Sequence, residues 1–324
     1  MNKLGVAYLY TISVFEGMML KPVIRFSIPM LMLLLSMPAL ADENPTALQR
    51  VMERGALSVA VYRDYPPFSF SDKGRVVGID ADIARALADR LGVAALIRAV
   101  GADESMEDDL RNNVWKGHYL GGGTADFMLH VPYDDAFAEE NDRVILLAPY
   151  YREQLVIATR ATVSESPFDL FTREKVGVEL DTLADFHLLS TNGGTMRNQV
   201  VHFRSMGEAV EAFKSGELAG VAGPRVEIEY ALGAQREDYR VVNMPGLRRG
   251  GWDLGGAVKQ GNDDLASAIR DGMQALRESG AISEIFQRYH ATYQPPLRLS
   301  GVTIAPASEL ALNADDPELC KRRP

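Results

Sequence analysis

Leu57, Val59 and Val61 alternate with Ser58, Ala60 and Tyr62. A period of two in a β-rich run predicts a strand. Pro66 and Pro67 end it, because neither residue can donate to a strand ladder. After a turn at Gly74 the period changes. Ile79, Ile83, Ala86 and Leu87 mark one apolar helical face, and Gly92 closes the helix. Asp80 and Asp82 sit at its start, where the helix dipole favours anions. Residues 57–92 therefore predict strand, loop and helix. Phe68 and Phe70 stand at the C-terminal mouth of the strand, the edge at which open α/β sheets bind ligands.

The same reading continues along the chain. Residues 125–131 (ADFMLHV) predict a second strand. Before it, residues 101–123 read as an acidic helix start and a glycine turn at Gly121 to Gly123. A P-loop is excluded there, since Thr124-Ala125 does not supply the Lys-Ser/Thr pair. Residues 148–160 predict a strand leaving the first lobe. Residues 175–180 predict a strand, Asp181-Thr182 cap a helix from Leu183, and 200–203 predict a further strand. Ser205 caps a helix over 206–214, followed by a strand at 218–222 and a helix at 226–232. Gly250, Gly251, Gly255 and Gly256 suit a second crossing. Residues 263–289 form an amphipathic helical region broken at Ser279-Gly280, and a loosely held tail follows Gln294.

DYPPFSF at 64–70, VVGIDADIARALADRLG at 76–92, PYY at 149–151 and the closing IFQRYH resemble the family 3 periplasmic solute-binding proteins. The resemblance runs over about 57–293 and implies an α/β, two-lobed type II periplasmic-binding-protein fold with two hinge crossings. It divides the chain into a leader (1–41), a discontinuous first lobe (42–152 with 250–294), a second lobe (153–249) and a tail (295–324). Members of this family capture a small molecule in the cleft between lobes for an ABC importer, and closure couples binding to a shape change.

The resemblance also places candidate ligand contacts at Tyr65, Phe68, His130, Tyr133, Asp181, Thr182 and Trp252. Amino-acid binders of the family hold the ligand carboxylate with an arginine on the helix after the second-strand motif. Here that stretch is Tyr133 to Glu140 and holds no arginine. His130 and Tyr133 stand where small hydroxyl residues are usual. The family's amino-group aspartate, at the end of a second-lobe strand, is replaced by Pro224. Thr182 and nearby N–H groups remain available for an oxygen, but Asp181 disfavours an anion. The expected ligand is neutral or cationic and partly apolar, and is not a standard α-amino acid. Each contact has a plainer alternative: Phe68 as core, His130 as a hydrogen-bonded strand end, Trp252 as hinge packing.

Ahead of this body, Lys21 and Arg25 precede the apolar run 28–35 and Ala39-Leu40-Ala41, the order of a signal peptide cleaved after Ala41. Met18 or Met19 suits the start better than Met1. Leader removal takes Lys3, Lys21, Arg25 and Glu16, and moves the net charge from −10 to −12. That charge disfavours nucleic acid and anionic membranes as partners. Cys320 is the one cysteine, so no internal disulfide forms. His118, His130, His187, His202 and His290 are scattered without metal-ligand spacing, and no G-x-S-x-G is present. No cofactor, metal or catalytic residue is expected. The expected state is a periplasmic monomer with an ABC permease as partner. ADFMLHVP with PYYR also resembles a branch that serves periplasmic quinoprotein alcohol dehydrogenases, which leaves an accessory role open. A dehydratase on cyclohexadienyl acids is the third reading, and the missing arginine opposes it.

Overall fold

The computed structural model describes residues 44–247 and 251–297. The expectations for the leader, its cleavage site, Gly250 and Cys320 lie outside these residues. The chain divides at Asn44/Pro45, and the unit that starts at Pro45 holds both sheets.

In chain order the elements are α1 (Ala47–Arg54), β1 (Ala56–Tyr62), β2 (Phe70–Asp72), β3 (Arg75–Val77), α2 (Ile79–Arg90), β4 (Ala94–Val100), α3 (Met106–Leu110), β5 (Phe127–Pro132), α4 (Asp135–Glu140) and β6 (Val144–Glu153). There follow β7 (Leu155–Arg160), α5 (Pro167–Leu170), β8 (Val176–Glu179), α6 (Leu183–Ser190), β9 (Val200–Phe203), α7 (Met206–Ser215), β10 (Gly220–Pro224), α8 (Arg225–Leu232), β11 (Tyr239–Asn243), β12 (Trp252–Lys259), α9 (Asp263–Glu278) and α10 (Ala281–Arg288). The first sheet has the order β4-β1-β5-β12-β6, and the second β11-β7-β10-β8-β9. Strands β1, β4 and β5 are parallel, and β12 enters between β5 and β6 antiparallel to both.

Local chemistry sets these boundaries. Thr46 and Gln49 form a reciprocal capping box on α1. Thr182 and Ser205 cap α6 and α7, as the sequence predicts. Strand β1 is buried on both faces, because helices cover it on one side and the α3 region on the other. Five strands lie outside the sequence reading: the short pair β2 and β3, the edge strands β4 and β11, and β12, whose glycines were read as a crossing. The expected strand at 218–222 is shifted to Gly220–Pro224, and the expected strand over 148–160 is two strands joined at Gln154.

One buried carboxylate ties the first sheet to α2. Asp80 accepts from the Tyr150 hydroxyl at 2.6 Å, and His130 Nδ1 lies 3.1 Å from its other oxygen. The loop after β1 carries the N-terminus of α2: the Pro67 and Phe68 carbonyls accept from the Ile79 and Asp80 N–H groups. Gly78 is required there, since a Cβ would overlap the Phe68 carbonyl.

The sheets are joined at two places. Chain passes from β6 to β7 through Gln154, and returns between β11 and β12. Arg152 on β6 and Asp253 on β12 make a buried ion pair of 3.0 Å at this joint, and Arg152 also donates to the Gly251 carbonyl. The segment after α10 adds a third tie. Thr292 donates its N–H and hydroxyl to Glu229 of α8, at 2.6 and 3.1 Å, and the Gln294 carbonyl accepts from Arg152 N–H. Glu153 sits at the centre of the joint. Burial pushes its carboxyl up to about 8, against the pull of the Gln154 N–H and the Arg225 guanidinium.

Two tests follow from the joint. A Cβ at Gly251 would overlap the Glu153 carbonyl oxygen, so Gly251→Ala should destabilise the fold by about 1–3 kcal/mol, read as a lower urea midpoint. Glu153 is neutral when folded, so its contribution is full below the ordinary glutamate range and is lost as the pH rises through about 8. Glu153→Gln should therefore leave the melting temperature near that of the parent at about pH 5 and raise it at about pH 9. A constant difference across that range would contradict the assignment.

Candidate functional site

A cavity of about 490 Å³ opens between the sheets. The first-sheet side supplies Asp64, Tyr65 and Pro66 from the loop after β1, and Trp252 from the start of β12. The second-sheet side supplies Leu155, Glu179, Thr182, Leu183, Met206, Pro224, Glu227 and Tyr230, among others. These positions are the C-terminal ends of β1, β8 and β10 and the helix starts that follow. A sheet edge of this kind turns loops and helix N-termini toward a ligand.

Of the seven residues singled out from the sequence, three line this cavity: Tyr65, Thr182 and Trp252. Trp252 packs against the cores of both halves, so its ring bridges the joint as well as facing the cavity. The Thr182 hydroxyl is committed locally, donating to the Glu179 carbonyl and accepting from the Asp185 N–H. The other four lie elsewhere. Phe68 is fully buried in the first core. His130 is buried against Asp80, its ring 4.3 Å from that of Phe68 and 5.0 Å from that of Tyr65. Both support Tyr65 from below. Tyr133 turns over β12 into a separate groove with Asp134, Asp135 and Arg270. Asp181 is exposed, with φ 60°, and its N–H donates to Asp185.

The sequence reading missed the main feature. Pro224 does end β10 at the cavity, without a charge. Three residues later, in the first turn of α8, Glu227 brings a carboxylate back to the same wall. Its Oε1 accepts from the Tyr65 hydroxyl across the cavity at 3.2 Å. No other hydrogen bond or ion pair reaches this carboxylate among the described residues. Burial pushes it up to about 8, the Glu153 and Glu179 carboxylates add to the rise, and the Tyr65 hydroxyl opposes it. Glu179 is also raised by burial, and one of its oxygens accepts from the Met206 N–H. The amphipathic signal of α8, with Glu227 one turn after a proline start, was the available clue.

No lysine, arginine or histidine is among the described residues that line this cavity. The arginines nearest in sequence to the family's motif positions are occupied elsewhere. Arg143 lies beside Asp142 and over the Trp115 ring. Arg152 is paired with Asp253. Arg225 donates to Gln154, Glu229 and Asn243. Among the described residues the cavity thus presents aromatic and aliphatic surface with three carboxyl groups, Asp64, Glu179 and Glu227, and no opposing cation. Among the described residues no group of three His, Cys, Asp or Glu is placed to hold a metal, and no helix is long and apolar enough to cross a membrane.

Known proteins share this architecture. Residues 57–115 match the family described as bacterial extracellular solute-binding proteins, family 3. The chain is similar to the L-cystine-binding protein TcyJ of Escherichia coli strain K12, with 22% identity over 258 residues, 79% of this chain and 89% of that protein. It is 26% identical over 233 residues to the probable ABC transporter arginine-binding protein ArtJ of Chlamydia trachomatis serovar D, over 69% of this chain and 82% of that one. Among solved structures, the ancestral cationic amino acid solute binding protein AncCDT-1 superposes with a TM-score of 0.61 at 21% identity, covering 76% of this chain and all of that one. The matched strand–loop–helix unit over 57–115 and the length shared with these relatives make the chain similar to the family 3 bacterial solute-binding proteins, and the superposition shows the same fold.

Proposed function

We propose that this protein captures a small molecule without a carboxylate group in the cavity between its two sheets, and delivers it to an ABC importer outside the cytoplasm. The absence of any basic side chain from the described lining carries the first part. A carboxylate closing into this space would lose its hydration and meet Asp64, Glu179 and Glu227 instead of a cation. The second part is supported by the relatives, which are named as binding proteins, one of them as part of an ABC transporter. Tyr65, Tyr230 and Trp252 supply flat apolar surface with polar rims, suited to a partly apolar body. A dehydratase acting on cyclohexadienyl acids would need a cation that the described lining does not supply. Nothing in the cavity favours the accessory role beside a quinoprotein dehydrogenase.

Calorimetry against the common α-amino acids is the direct test. Each should bind at about millimolar affinity or weaker, since the uncompensated carboxylate costs several times the roughly 1.4 kcal/mol that makes a tenfold change. Micromolar binding of any of them would overturn the proposal. For the true solute, Trp252→Ala should weaken binding by about 1–3 kcal/mol through lost apolar contact. Phe68→Ala should act on stability instead, lowering it by about 3–5 kcal/mol, because this ring lies in the core.

A further inference from the structure

We propose that the solute is an organic monocation, an alkyl- or arylammonium ion, with its charge against Glu227 and its carbon skeleton against Trp252, Met206 and Leu183. This rests on the reading of the cavity as the solute site, and narrows the class it takes.

Three observations meet here. The cavity is walled by rings and aliphatic side chains, which suits a carbon skeleton. The Glu227 carboxylate is half-buried in that wall and holds one neutral hydrogen bond, from Tyr65. A half-buried carboxyl group with neighbouring carboxylates and no cation among the described lining is an electrostatic deficit that an ammonium ion relieves. The face of an aromatic ring attracts the same ion, and Tyr65, Tyr230 and Trp252 provide rings.

One charge fits better than two. Glu179, the other carboxylate deep in the wall, already accepts from the Met206 N–H. Asp64 is exposed at the mouth.

Capture should also be linked to protons. The groups facing Glu227 are Tyr65 from the loop after β1, Glu153 from β6, and Glu179 from β8, with Arg225, Glu229 and Tyr230 on its own helix. Of these, Glu153 and Glu179 favour the protonated form of Glu227 and Tyr65 opposes it. An ammonium ion fixes Glu227 as the carboxylate, so binding below about pH 8 expels a proton. Amine affinity should rise by up to about tenfold per pH unit between about pH 6 and pH 8.

The test uses the folded protein with 2-phenylethylamine, butylamine, the diamine cadaverine, the neutral isostere 2-phenylethanol, and phenylalanine. Calorimetry runs at neutral pH in two buffers of different ionisation heat. The expected result is that a monoamine binds, that it does so more tightly than cadaverine and 2-phenylethanol, and that it releases protons. Glu227→Gln, checked for an unchanged or raised melting temperature, should weaken the amine about 10–100-fold and abolish the proton release. Binding of 2-phenylethanol as tight as that of the amine would overturn the cation assignment while leaving a carboxylate-free solute standing. Tight binding of phenylalanine would overturn that broader reading. Amine binding that survives Glu227→Gln unchanged, or no amine binding up to about 10 mM, would equally overturn the proposal.

Discussion

Where the two sheets meet, three glutamates share one small region with too few cations among the described residues. Glu229 is served by Arg225, Arg236 and two hydrogen bonds from Thr292. Glu153 and Glu227 are left with backbone N–H groups, a tyrosine and the distant side of Arg225. A buried charge without a partner is costly, and a carboxyl group meets that cost by taking up a proton. The satisfied glutamate anchors α8 to the C-terminal segment. The unsatisfied ones lie at the joint and in the cavity wall, where a moving or arriving partner can reach them. Stability and recognition are thus divided among side chains of one type within a few residues.

Asp80 shows the opposite solution in the same molecule. It lies at the start of α2, with a hydroxyl and an imidazole as close partners. That network fixes the ends of β5 and β6 against the first helix, and it draws His130 and Phe68 inward. Tyr65 then rests on a rigid aromatic floor, with the Phe68 ring stacked at 5.4 Å. Its hydroxyl is free to reach across to Glu227 because the rest of the ring is so well supported.

The sequence carried the framework well. Alternation at Val59, the helical period from Ile79, and the caps at Thr182 and Ser205 are local signals, and local physics settled those elements. Strands β4 and β11 escaped because they are edge strands: β4 alternates with exposed Ala94, Leu96 and half-buried Arg98, and β11 (Tyr239–Asn243) has no fully buried residue. In the site, Tyr65, Thr182 and Trp252 were legible from their places at strand ends and crossings. Side-chain direction was not. Tyr133 follows Pro132 and turns over the sheet, and Asp181 takes a left-handed conformation that points it to solvent. Glu227 was hidden because the strand end itself carries Pro224, and the carboxylate sits one helical turn onward, at the start of α8. A helix start can offer a side chain to a cavity from its first turn as readily as a strand can from its last residue.

The placement of β12 has a consequence for how the molecule assembles. The second sheet is built from one continuous stretch, β7 to β11, with its first strand held between its last two. The first sheet needs β12 at its centre, between β5 and β6, and that strand is made only after the whole of the other half. Closing so long a loop is entropically slow. The first sheet thus contains the longest-range strand pairings of the two, and Thr292, beyond β12, adds a further long-range contact to Glu229. The joint therefore draws on chain from both sides of that continuous stretch, Arg152 before it and Asp253 and Thr292 after it.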